Sequence, residues 1–288
     1  MNPLVFTLAH AGHQHLDAAQ VMTWWSWEPA VVALLAVSGA MYFVGYPHVA
    51  GKSISRWQAA AFWGGWLALV IALLSPVDAL GGILFSAHMV QHELLMVVAA
   101  PLLVLGRPLI AFLWALPPGQ RLAVGELTRR DAFARSWHAV SAPLVAALLH
   151  GIALWVWHIP SWYEATLRSE VIHTLQHTSF LGTATLFWWT LIHGRYGRMG
   201  YGMAVVYTFV TAIHSGALGA LIAFSPNVWY PIYIETTSKW GLNPLEDQQL
   251  AGFLMWIPAG VILSILGVAL FAAWLGEAER RIAVEEKK

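Results

Sequence analysis

There is no cysteine among the 288 residues. That single absence excludes disulfides, Cys-ligated zinc, iron–sulfur clusters and thiol catalysis. It also fits a chain that faces an oxidising compartment, where a free thiol is a liability. Charge is nearly as scarce. Asp, Glu, Lys and Arg make up 10% of the chain, against about 25% in a soluble domain, so a soluble globular fold is excluded. Disorder needs the opposite composition. The 15 Lys and Arg residues balance 15 Asp and Glu, which leaves no basic surface for nucleic acid. There is no P-loop, no G-x-G-x-x-G after a strand and no H-E-x-x-H, since His92-Glu93 lacks the downstream histidine. Hydrolysis and nucleotide use have no support. The few charges inside apolar runs argue against a voltage sensor or an ion pump.

What is present is apolar sequence, 58% of the chain, with 17 Trp and 13 His. A helix needs about 20 apolar residues to cross the hydrocarbon core. Seven stretches qualify, near 29–46, 57–75, 81–105, 142–159, 171–193, 201–224 and 249–275. They are continuously apolar rather than alternating, so a β-barrel is not expected. The expected fold is an all-α integral membrane bundle of seven transmembrane helices. Residues 1–28 form an exported tail, 29–276 the membrane domain and 277–288 a cytoplasmic tail. The loops 47–56, 106–140 and 194–200 and the C-terminal tail hold 13 of the 15 basic residues. By the positive-inside rule these lie in the cytoplasm and the N-terminus lies outside. Segment 106–140 interleaves Leu122, Val124, Leu127, Phe133 and Trp137 with arginines. It reads as lying on the inner surface against anionic membrane lipid, or as a plain solvated connector. Most of the tryptophans near span ends read as interfacial anchors.

Ionisable residues inside spans are costly and default to a functional reading. Seven histidines fall in or at the ends of the spans: His88, His92, His150, His158, His173, His177 and His214. At about 1.5 Å per residue, the loop-charge orientation puts all seven in the outer half of the bilayer. His88 and His92 are four residues apart and share a helix face, as do His173 and His177. Both pairs carry the string H-x-x-Q-H, which suggests an internal two-helix repeat. Two facing pairs would make a four-nitrogen metal site, with His214 or His150 as a further ligand. Met96 continues the His88–His92 stripe and Met255 lies at similar depth on the last span. Thioether beside imidazole favours copper, as Cu(I), over zinc. The bland alternatives are interhelical hydrogen bonding for the histidines and gap-filling for the methionines. Glu93 could orient a histidine, relay protons or stay protonated. Asp247 opens the last span, either as a helix cap or as a gate above the site. His10, His13 and His15 in the exported tail could capture metal or be solvated.

His88-Met89-Val90-Gln91-His92 is followed by Ala100-Pro101-Leu102-Leu103-Val104-Leu105-Gly106-Arg107-Pro108. Then come Trp157-His158-Ile159-Pro160 with Tyr163, His173-Thr174-Leu175-Gln176-His177-Thr178-Ser179-Phe180, and Asp247-Gln248-Gln249-Leu250-Ala251-Gly252 with Met255-Trp256. Over about residues 30–270 this series resembles the CtaG family of multi-span cytochrome c oxidase assembly factors, associated with caa-type oxidases. The resemblance implies a bacterial cell-membrane protein that helps make active haem–copper oxidase, with copper delivery as the usual proposal. It implies that His88, His92, His173 and His177 belong to the family's motifs, and cytochrome c oxidase subunits as partners. An external copper donor would complete the path. The expected role is not enzymatic, since ligand exchange needs no nucleophile. The rival readings are a haem protein, a copper or zinc transporter, and a metal-free scaffold.

Overall fold

The computed structural model describes residues 21, 23–194 and 199–285. His10, His13 and His15 lie outside the described residues. Every regular element among the described residues is helical. Five helices are long and apolar enough to cross a membrane: α1 (Pro29–Val49), α2 (Arg56–Leu74), α4 (Phe85–Leu105), α11 (Gly200–Ala223) and α13, which runs Pro244–Glu285. A sixth arises if α7 (Asp131–Val140) and α8 (Pro143–Trp157), bent by 60° at their junction, count as one span. The expected stretch 171–193 is α10, Glu170–Gly194. It is long enough at 25 residues, but its histidines, glutamine and threonines make it less apolar than the others. The short helices are α3 (Pro76–Gly81), α5 (Pro108–Ala115), α6 (Pro118–Arg129), α9 (Pro160–Arg168) and α12 (Tyr233–Lys239).

Local chemistry sets the boundaries. Ser55 and Gln58 form a reciprocal capping box that starts α2. Proline occupies the first turn of α1, α3, α5, α6, α8 and α9, where its missing N–H costs nothing. The stretch expected from residue 81 begins instead at Phe85, because Gly81 ends α3 and 82–84 form the turn out of it. Asp247 of α13 caps this start: its carboxylate accepts from the Phe85 N–H at 2.8 Å and from the Ser86 N–H and hydroxyl.

Midway, α4 widens into a π turn over Leu94–Ala99. Pro101 supplies the reason. It has no N–H to give the preceding turn, so the ladder must break near it. Ala100 donates to Leu95 O, five residues back. Met96 O accepts instead from Trp188 Nε1 of α10 at 2.9 Å.

Helix α4 is the centre of the bundle, packed by α2, α10 and α13. Half of its apolar window is buried, the largest share of any span. Helices α11 and α13 pack closely through glycine. A Cβ on Gly252 would lie 2.4 Å from Ala223 N, so only glycine fits there. In the same way α5 packs on α1, with Gly45 against Ala111 O. Thus the first part of 106–140 belongs to the bundle, while α6 and α7 have no buried residue.

Candidate metal centre

Three helices bring five histidines to one end of the bundle, the end that carries α3, α9 and α12. His88 and His92 lie in the first turns of α4, His173 and His177 in the first turns of α10, and His158 at the end of α8. Within each i,i+4 pair the ring centroids are 4.4 Å and 4.1 Å apart. Across helices His88 lies 5.3 Å from His173 and 5.8 Å from His177. His92 lies 5.4 Å from His177 and 6.2 Å from His158. One nitrogen from each of His88, His173 and His177 falls within 4.8 Å of the other two. Such atoms sit at most about 2.8 Å from a common centre, against roughly 2.0–2.1 Å for a metal–imidazole bond. An inward adjustment of under about 1 Å would close the site, within the reach of a rotamer change.

The hydrogen bonds decide which nitrogens can ligate. A carbonyl only accepts, so a ring nitrogen facing one carries the proton. His158 Nδ1 donates to Leu154 O at 2.6 Å. His88 Nδ1 faces Gly81 O at 3.3 Å and the Tyr233 hydroxyl at 3.4 Å. Tyr233 spends its own proton on Gly81 O at 2.7 Å, so Tyr163, at 2.9 Å, donates to Tyr233. Both histidines therefore keep their lone pair on Nε2, the arrangement that metal-binding histidines use. Burial pushes the Tyr163 and Tyr233 phenols well above their ordinary range, so both stay protonated donors. Among the described residues, neither nitrogen of His92 has a hydrogen-bond partner, nor do His158 Nε2 and His177 Nε2. Buried polar atoms in this state cost free energy unless something fills the gap. The donor set thus suits a metal ion, which would satisfy several of them at once.

The remaining candidates lie elsewhere. Glu93, Met96, His150 and Met255 line a separate cavity of about 40 Å³, further along α4 than the five histidines. Trp188 and Leu154 also line it. His214 packs against Gly151, next to His150. So the histidines expected around one centre form two groups. Asp247 is engaged at the start of α4. Its neighbours Gln248 and Gln249 tie the 225–229 loop to α13 through Trp229 N, Asn227 O and Ser225 O.

Residues 40–277 match the family model described as cytochrome c oxidase caa3 assembly factor. The chain belongs to that family. The caa3 assembly-factor match takes in every one of these candidate residues. Uncharacterised proteins of Mycobacterium bovis and Mycobacterium tuberculosis are each 27% identical to this chain over 278 residues, covering 94% of it. One from Mycobacterium leprae is 26% identical over 284 residues. The chain spans 42% of the length of these relatives. No solved structure matches it.

Several parts of the site were not read from the sequence. Tyr233 and Gly81 lie in short segments with no periodic pattern. Gln91 gave a clearer signal, since both H-x-x-Q-H strings contain glutamine. Its amide donates to Ala72 O and to Asp78, each at 2.8 Å, and so ties α4 to α2 and α3.

Proposed function

We propose that this assembly factor holds Cu(I) in its histidine cluster and passes it to the copper centre of cytochrome c oxidase. The observation that carries the reading is the convergence of His88, His173 and His177, with His92 and His158 beside them. Five clustered imidazoles, with nitrogens of His92, His158 and His177 lacking a hydrogen-bond partner among the described residues, form a ligand set for a soft or borderline ion. Transfer then proceeds by exchange of one imidazole for a client ligand, with no nucleophile and no covalent intermediate. An axially ligated haem is a poorer fit, since a macrocycle needs an open slab between two histidines. Here the rings pack on one another and on Phe180 and Tyr163.

The membrane setting belongs to the same proposal. We place α10 as a span and α7–α8 as one bent span, which gives seven. The N-terminus then lies outside, the histidine cluster lies near the outer face of a bacterial cell membrane, and α6 rests on anionic lipid at the inner face. Partners are the oxidase subunits and an external copper donor. The test is elemental analysis of detergent-purified protein after reduction and copper loading. Stoichiometric copper with negligible iron is expected, and the double variant His88→Asn/His92→Asn should lose copper and lower oxidase copper content in cells. Stoichiometric iron, or normal oxidase copper in the variant, would overturn the reading.

A further inference from the structure

Two side-chain stripes leave the histidine cluster and run into the bundle. On α4, His88, His92 and Met96 follow one another at four-residue steps. On α8, His158, Leu154 and His150 do the same in the opposite chain direction. Both stripes end in the cavity lined by Glu93, Met96, His150 and Met255.

We propose that this chamber is a second metal site, for a soft monovalent cation such as Cu(I), distinct from the histidine cluster. It rests on the copper reading for the identity of the ion, but not for its location. Three helices supply the donors: the thioethers of Met96 and Met255 from α4 and α13, and the imidazole of His150 from α8. Thioether with imidazole is a donor set that prefers Cu(I) to harder divalent ions. His150 Nδ1 lies 3.3 Å from the Thr183 hydroxyl. That hydroxyl gives its proton to Ser179 O at 2.7 Å, so Nδ1 donates and Nε2 keeps the lone pair.

Charge selects the valence. Glu93 Oε2 is buried with no hydrogen-bond partner among the described residues. The hydroxyls of the wall do not serve it. Thr211 donates to Tyr207 O and Ser215 to Thr211 O, each at 2.8 Å. An ion is costly in a low-dielectric interior unless paired. A monovalent cation beside one carboxylate leaves the chamber neutral, whereas a divalent ion leaves a net charge. A cavity of about 40 Å³ exceeds the ~10–15 Å³ that one water-sized sphere occupies, so a single ion fits. Methionines that merely filled the core would close this space rather than line it. The spacing makes the two sites successive stations, since Met96 lies about 6 Å along the axis from His92.

The test uses the full chain grown on selenomethionine, loaded with Cu(I) under reducing conditions, and read by X-ray absorption at the selenium and copper edges. A copper neighbour at selenium is expected in the otherwise unaltered chain. Met96→Leu/Met255→Leu, which conserves volume, should lose that signal and one copper per chain, and keep the nitrogen-ligated copper. His173→Asn/His177→Asn should keep the selenium–copper signal. No copper neighbour at selenium, or one that persists in the Met96→Leu/Met255→Leu chain, would overturn the proposal. If only the methionine variant loses copper, the chamber stands and the outer-cluster reading falls. If only the histidine variant loses it, the chamber falls.

Discussion

A histidine binds metal through whichever nitrogen its other nitrogen leaves free. In this protein the choice is made by backbone carbonyls, Leu154 O for His158 and Gly81 O for His88. Tyr233 stands over the second of these. Tyr233→Phe removes one acceptor facing His88 Nδ1 while leaving every candidate ligand in place. Copper affinity, read by competition with a chelator, should fall by roughly 10–100-fold, the usual cost of losing a partner behind a ligand. Protons compete for the same lone pairs. Copper affinity of the histidine cluster should therefore fall with pH, with release only below the ordinary imidazole value of about 6.5, because the bound ion competes with the proton for the same lone pair. Equilibrium dialysis from pH 8 to pH 4 would check this, and an affinity that does not change with pH would count against imidazole ligation. The two i,i+4 histidine pairs were legible in sequence because a helix fixes which residues share a face. The grouping of His150 apart from His88 was not, because it depends on how α8 packs against α10 and α11. Tyr233 was hidden for a similar reason, since it reaches His88 from 145 residues away.

Helices α4 and α13 meet at both ends of the site through groups that periodicity does not reveal. Asp247 reads in sequence as a cap for its own helix, and in the structure it caps α4. The apolar runs were legible because burial in lipid demands them. The π turn was not read from the sequence, although Pro101 inside an apolar run is its signal. Trp188→Phe keeps an aromatic ring but leaves Met96 O without its donor. We expect a loss of about 1–3 kcal/mol, the cost of an unsatisfied buried group, seen as a lower unfolding temperature in detergent. Gly252→Ala tests the α11–α13 contact. Its new Cβ would meet the Ala223 backbone, which cannot rotate away, so folded yield and melting temperature should both fall.

For the molecule as a whole, the missing cysteines become an experimental asset. A single introduced cysteine is the only thiol in the chain, and a membrane-impermeant reagent reports its side. With seven spans and the N-terminus outside, Lys239→Cys on α12 should label in intact cells. Arg129→Cys on α6 should label only after the membrane is opened. The reverse pattern would invert the orientation drawn from the loop charges. Labelling of both in intact cells would require an even number of crossings between them.

The wide turn in α4 also governs phase. With 3.6 residues per turn, donors spaced four apart drift about 40° around the axis at each step. Over His88, His92 and Met96 an unbroken α-helix would swing the thioether well away from the first imidazole. Closing five residues back instead of four slows that rotation from Leu94 onward, so Met96 stays nearer the line of the histidines. A proline that spoils one hydrogen bond thus acts as a vernier, keeping a straight column of donors on a helix whose own pitch would coil it.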